Sequence, residues 1–267
     1  MAQNRRYRKY LIIIAGINLK MPLREELEAS GNWLFIRRSW LPIILYPFAI
    51  AVIYFYLDAA YPEITNIYWC IFCLVISLSG LLIRALTIGF TPSGTSGRNT
   101  TGGQIAEVLN QTGIYSTVRH PLYLGNFLMW FGLFLYVSIW WFVAICSLLY
   151  WLYYERIMIA EEEFLRKKYG NTYELWASKT PAFIPDFSLW RASGLCFSLK
   201  TVLKREYNGL LAVAITFALF NIAAHFFYNQ TFRIDSFWHV TLFISFVIFV
   251  TLRTLKKTTR MLEVEGR

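Results

Sequence analysis

The side chains best suited to chemistry fall in two short clusters. The first is Gly113-Ile-Tyr-Ser-Thr-Val-Arg-His-Pro-Leu-Tyr-Leu-Gly125, which contains Tyr115, Arg119, His120 and Tyr123. The second is Glu161-Glu162-Glu163, with Arg156 a little upstream. Apolar and aromatic residues fill the stretch between them, from Asn126 to Tyr154. That stretch is too long for one membrane crossing and fits two short ones. A helical hairpin that goes out and returns puts both clusters at the same face of a bilayer. There an imidazole, a guanidinium and a carboxylate can share one pocket. A guanidinium orients an anionic group, and a carboxylate holds an ammonium group where water is partly excluded.

Pro121 suits the first turn of a helix, where its missing N–H is not needed. Arg119 and His120 are therefore expected at a helix N-terminus, facing water. Three adjacent carboxylates are ordinarily a solvated helix face. Glu162 with Arg166, and Glu163 with Lys167, have i,i+4 spacing, which suits ion pairs along one helix. Glu161 is then left without a partner at that spacing, free to turn back toward the membrane. His225 and His239 are read as structural.

The elements that must position these groups are membrane helices. Hydrophobic residues make up 57% of the 267, charged residues 16%, and the mean hydropathy is +0.43. A soluble domain is about one quarter charged. The fold expected is all-α and polytopic, with about six transmembrane helices at Trp40–Leu57, Asn66–Ile83, Pro121–Tyr136, Ser138–Tyr154, Gly209–Phe227 and Phe237–Leu255. An even number of crossings puts both termini on one side. Residues 1–39, 84–120, 155–208 and 253–267 share that side and hold 25 of the 26 Lys and Arg. The basic side faces the cytoplasm. Basic loops against anionic headgroups also account for the net charge of +10, so no nucleic-acid partner is expected.

No ionisable residue falls in the middle of an expected span, which argues against a pump or coupled transporter. Cys70, Cys73 and Cys146 lie in spans, and Cys196 is a lone thiol. No metal site is expected from them. The basic N-terminal residues lead into Leu19–Ile36, which is either an amphipathic interfacial helix or a disordered tail. Residues 89–112 form a polar connector containing Gly94-Thr-Ser-Gly-Arg98-Asn-Thr-Thr-Gly-Gly103. As composition this is a flexible loop. Its glycines, hydroxyls and Arg98 also suit an anion-binding turn, although the P-loop order is missing. Gln104–Leu109 has helical spacing. The aromatic stripe Trp130, Phe131, Phe134, Trp140, Trp141 and Phe142 reads as packing and interface belt more than as a substrate groove.

Taken together, Gly113, Tyr115, Arg119-His120-Pro121, Tyr123 and Gly125, then Glu161-Glu162, Leu165, Tyr169-Gly170, Tyr173 and Pro185, resemble a known signature. It is that of the isoprenylcysteine carboxyl methyltransferase and phospholipid methyltransferase superfamily of integral membrane proteins. The resemblance implies S-adenosyl-L-methionine as cofactor. Tyr115, His120, Pro121, Leu122 and Tyr123 would line its pocket. Val108, Leu109 and Asn110 would pack on the adenosyl part, with Gln104 nearby. Glu161, with Glu162 beside it, would hold the amino group. Residues 1–100 would carry the first two helices, 101–187 the methyltransferase core, and 188–267 an added pair of helices.

The carboxyl methyltransferases place a substrate-orienting Arg shortly before the acidic pair. Here a strict register puts Ile157 at that position and Arg156 next to it. In-line methyl transfer to an anionic oxygen, a carboxylate or lipid phosphate, needs an orienting cation and no base. Arg156, Arg119 and Arg98 are the candidates for that part. The acceptor is expected to be a membrane lipid or lipidated molecule entering from the bilayer. The alternatives are N-methylation of a phospholipid amine and a scaffold that keeps the fold without the chemistry.

Overall fold

The computed structural model describes residues 22–92, 106–264 and 266. Arg98 and Gln104, with the basic N-terminal run, lie outside them. The described residues form helices joined by short turns, with a single isolated bridge between Gly113 and Arg191. The helices are α1 (Leu23–Arg37), α2 (Leu45–Phe55), α3 (Leu57–Ile64), α4 (Ile67–Gly89), α5 (Pro121–Tyr136), α6 (Trp140–Tyr169), α7 (Asn171–Ala177), α8 (Leu199–Asn229) and α9 (Ser236–Thr258).

All six expected apolar segments are helical, but they do not all make full spans. Among the described residues, four helices are long and apolar enough to cross a membrane: α4, α6, α8 and α9. A fifth span results if α1 and Leu41–Phe55 count together, across a bend of 82°. The first expected span is short: its helix opens with a 3-10 turn, Leu41–Ile44, runs on as α2 and stops at Tyr56, and the bend separates it from α1. Helix α5 has 16 residues. At about 1.5 Å per residue it is roughly 24 Å long, short of a bilayer core of about 30 Å. The helical spacing of Gln104–Leu109 is not realised in its described part, residues 106–109.

Helices α4 and α5 are packed along small residues. A Cβ on Gly80 would lie 2.3 Å from the Gly125 carbonyl oxygen, and one on Gly132 would lie 2.2 Å from Ser77 Oγ. Ser77 Oγ donates across the same seam to the Met129 carbonyl at 2.8 Å. Small residues permit this backbone approach where apolar burial gives helices no preference over lipid. Helix α8 packs against α2, α3, α4 and α5 as well as α9. At one end of the bundle His225 ties α8 to α3 and to the start of α9. Its imidazole lies 3.1 Å from Tyr61 Oη and 3.0 Å from Asp235 Oδ1, and Asn221 donates to the same carboxylate.

From the stripe, Phe134 and Phe142 are buried, while Trp140 and Trp141 are exposed. The charges of the helix ends lie differently from the expected boundaries. Helix α4 continues past Ile83 to Gly89, and α8 begins at Leu199. Arg84 and Glu206 thus fall inside helices and face each other in the interior rather than in loops.

Candidate functional site

The Arg119-His120-Pro121 segment is fixed from outside the hairpin. Its backbone runs beside residues 181–186: Arg119 N–H donates to the Pro181 carbonyl at 2.9 Å, and His120 N–H to the Ala182 carbonyl at 3.2 Å. Asp186 N–H donates to the Thr117 carbonyl at 2.9 Å. Further back, Gly113 N–H donates to the Arg191 carbonyl at 2.8 Å. Gly113 has φ 61° and starts the turn carrying Tyr115. That left-handed conformation suits glycine, which has no Cβ to clash. Pro121 opens α5 at the N1 position, as its chemistry predicts.

The hairpin returns as expected. His120 is buried rather than facing water, because the acidic helix covers it, with Nε2 2.9 Å from Glu162 Oε1 and Nδ1 3.9 Å from Glu161 Oε2. Arg119 Nε lies 3.4 Å from the same Glu162 oxygen. Tyr123 stacks on the His120 ring at 5.7 Å and meets Tyr154 at 5.0 Å. Leu122 is half-buried beside it.

The expected i,i+4 pairs do not form. Glu162 faces inward to His120 and Arg119, because it shares the side of α6 that the Arg-His-Pro segment covers. Glu163 takes Arg166, and also Arg24 of α1 at 2.7 Å. Lys167 pairs with Glu28. Glu161 has no Lys or Arg at ion-pair distance among the described residues.

Val108, Leu109, Asn110 and Tyr115 line one cavity of about 320 Å³, together with Phe90 and Ser193. Tyr115 lines this cavity and feels the Glu161 carboxylate of the His120 cluster. Burial raises its hydroxyl pKa well above the ordinary tyrosine value, and the nearby Glu161 carboxylate raises it further. Both effects disfavour the phenolate, the one by desolvation and the other by like charge. Tyr173 of α7 is pushed up in the same sense, by burial and then by Glu162.

Arg156 is turned away from this cluster. Its Nη1 donates to Ser30 Oγ of α1 at 3.3 Å. A different cation lies inside. Arg84 binds Glu206 through Nε at 2.7 Å and Nη2 at 2.8 Å, and Asn126 Oδ1 through Nη1 at 2.6 Å. Asn126 in turn donates to Tyr154 Oη at 3.2 Å. The Arg84 stem lies against Gly125, where a Cβ would be 2.6 Å from Arg84 Cγ. Sequence reasoning misses this group because the expected span ends at Ile83. The signal is present: Ala85, Leu86, Ile88 and Phe90 continue the apolar run past the arginine.

Comparison with known proteins bears on the same stretch. The phospholipid methyltransferase family model matches residues 67–172, from the start of α4 into α7. The protein-S-isoprenylcysteine O-methyltransferase of Schizosaccharomyces pombe is 33% identical over 73 residues, 27% of this chain and 31% of that protein. Residues 67–172 are thus similar to integral membrane methyltransferases. Both chemical clusters fall inside this matched stretch, and α8 and α9 lie beyond it.

The nickel-cobalt-cadmium resistance protein NccN of Alcaligenes xylosoxydans xylosoxydans is 34% identical over 90 residues, 34% of this chain and 42% of that protein. The cobalt-zinc-cadmium resistance protein CzcN of Cupriavidus metallidurans is 31% identical over 127 residues, 45% of this chain and 58% of that protein. The chain thus spans less than two thirds of the length of each of these relatives. No solved structure matches it.

Proposed function

We propose that the protein transfers a methyl group from S-adenosylmethionine to a membrane-embedded lipid or lipid-modified acceptor. One observation carries this reading: His120 meets Glu161 and Glu162, and the Glu161 carboxylate is near enough to act on Tyr115, a wall of the cavity lined by Val108, Leu109 and Asn110. The residues fit the cofactor chemically. Glu161 has no Lys or Arg competing for it among the described residues. Its carboxylate is therefore available to the amino group. The cavity measures about 320 Å³, within the usual range for small-molecule sites.

When bound, the cofactor supplies a methyl group already activated on a sulfonium. The protein has to align the acceptor with it and keep water out. In this reading Glu161 holds the ammonium end, and Tyr115, His120, Pro121, Leu122 and Tyr123 enclose it. Val108, Leu109 and Asn110 flank the adenosyl part. Glu162 acts by holding His120 and Arg119 in place.

The acceptor is an anionic oxygen, a carboxylate or a lipid phosphate. An amine acceptor needs a base to take its proton. Glu162, Glu163 and Glu206 are each engaged by a cation and poorly suited to that task. Arg84 is the better orienting cation, given the direction of Arg156. Three of its N–H donors are used by Glu206 and Asn126. A guanidinium carries five in all, so two remain for an acceptor. The acceptor enters laterally from the bilayer, and the distribution of basic residues supports an active site on the cytoplasmic side.

The test is direct. The purified protein is given methyl-labelled S-adenosylmethionine and separated classes of lipid. Label on acidic amphiphiles, as base-labile esters, supports the reading. Label only on ethanolamine lipids overturns the choice of acceptor, and no label on any class with no cofactor binding overturns the whole reading.

A further inference from the structure

A second cavity adjoins the one lined by Val108, Leu109 and Asn110, with Gln111 in the lining of both. It measures about 510 Å³ and sits on the other side of the segment that carries Tyr115. Helix α7, the chain after it, and residues 188–191 form its walls. Two cations line it, Lys179 and Arg191, and neither has a carboxylate at ion-pair distance among the described residues. Thr172, Thr180, Ser188 and Gln111 add hydroxyl and amide groups. The acidic residues on the bordering elements are engaged elsewhere. Asp186 accepts from the Ser188 hydroxyl at 2.6 Å and its N–H at 2.9 Å, and Glu174 pairs with Arg166 at 3.4 Å.

Two unpaired cations among hydroxyl donors favour a multiply charged oxyanion, above all a phosphate. The rim narrows the source. Leu175 and Trp190 line the cavity and are 65% and 51% exposed; Phe187 and Ile184, next in the chain, are 75% and 78% exposed. Exposed aromatic and aliphatic groups around a basic site are the pattern of a surface that sits in the headgroup layer.

We propose that this cavity is a second binding site, one that takes the phosphate of an anionic lipid headgroup while Leu175, Phe187 and Trp190 enter the upper acyl region. The site is tied to the methyltransferase core through the backbone. Arg191 N–H donates to Ser116 Oγ at 2.9 Å, and the Arg191 carbonyl accepts from Gly113. A bound headgroup therefore braces, from behind, the turn that carries Tyr115. The inference does not depend on methyl transfer.

Native mass spectrometry of the full chain in neutral detergent tests it. The probes are phosphatidic acid, phosphatidylglycerol and phosphatidylcholine, with inorganic phosphate as a competitor. The wild type is expected to retain the two anionic lipids over phosphatidylcholine. Lys179→Gln with Arg191→Gln should lower that retention roughly tenfold or more, as loss of charge-assisted contacts does. Lys179→Arg with Arg191→Lys should keep most of it and controls for folding, alongside circular dichroism. Displacement of the lipid by inorganic phosphate supports the anion chemistry. Binding of inorganic phosphate with no preference among lipids overturns the lipid source and moves it to a soluble phosphate. Equal retention of anionic lipid by the wild type and a natively folded Gln variant overturns the proposal.

Discussion

His120 Nε2 lies 2.9 Å from Glu162 Oε1, although 42 residues and a doubled-back pair of helices separate them in the chain. Glu161, one residue earlier, approaches the other ring nitrogen only to 3.9 Å. Adjacent carboxylates thus stand in different positions. The one meets the imidazole at hydrogen-bond distance, and the other does not.

That difference predicts different phenotypes for two similar substitutions. Glu161→Gln should weaken binding of S-adenosylhomocysteine by about 10- to 100-fold, since a charge-assisted contact contributes roughly 1.5–3 kcal/mol. Its thermal unfolding should change little. Glu162→Gln should lower the unfolding temperature, because His120 and Arg119 lose a partly buried partner, and a buried group left unsatisfied is destabilising. Isothermal titration and a thermal-shift assay in detergent separate the two. The same loss of affinity with the same loss of stability in both variants would contradict the division of roles.

Arg84 and Glu206 form a bidentate pair between α4 and α8, with side chains 22% and 7% exposed. Breaking one partner of such a pair leaves an uncompensated charge, at a cost of about 3–5 kcal/mol. Glu206→Gln should therefore be strongly destabilising, and Arg84→Met together with Glu206→Leu should recover much of that loss. The double variant should nevertheless remain without methyl transfer if Arg84 orients the acceptor. Unfolding and activity measured on the same preparations test both halves. An active double variant would remove Arg84 from the mechanism.

How much of this is legible in the chain depends on the kind of contact. The meeting of His120 with the acidic cluster follows from spacing, because an apolar run long enough for two short crossings has to return. Pro121 marks a helix start by its missing N–H, and the structure agrees. The partners of Glu162, Glu163 and Lys167 are not legible. Spacing along one helix offers i,i+4 pairs, but α1 and the Arg-His-Pro segment supply stronger partners from far away in sequence. Arg84 escapes notice for a related reason. A single arginine at the end of an apolar run looks like an interfacial residue until a glutamate from a later helix is seen to neutralise it.

The α1 clasp should matter less than its ion pairs suggest. The Arg24 side chain is 65% exposed where it meets Glu163. Water screens such a pair, and it contributes little. Arg24→Ala should leave the unfolding temperature nearly unchanged. Gly31 on the same helix has no such latitude, since a Cβ there would lie 2.0 Å from the Arg156 carbonyl oxygen. Gly31→Val should lift α1 off α6. Protease accessibility near Leu23–Arg37 reads this, and an unaltered digestion pattern in Gly31→Val would refute the packing.

The α4–α5 seam sets where Arg84 stands relative to the site. Gly80 and Gly125 touch backbone to backbone, and the Arg84 stem fills the remaining space over Gly125. Adding a methyl group to an overpacked contact costs about 1–3 kcal/mol, more where backbone has to move. Gly125→Ala should therefore displace Arg84 and loosen its bond to Asn126, reducing methyl transfer more than cofactor binding. Gly80→Ala, further from the arginine, should lower stability with a smaller effect on turnover per folded molecule. A titration with S-adenosylhomocysteine beside a turnover assay distinguishes these outcomes. Equal loss of cofactor affinity and turnover in Gly125→Ala would mean that the seam supports the His120 cluster rather than the acceptor side.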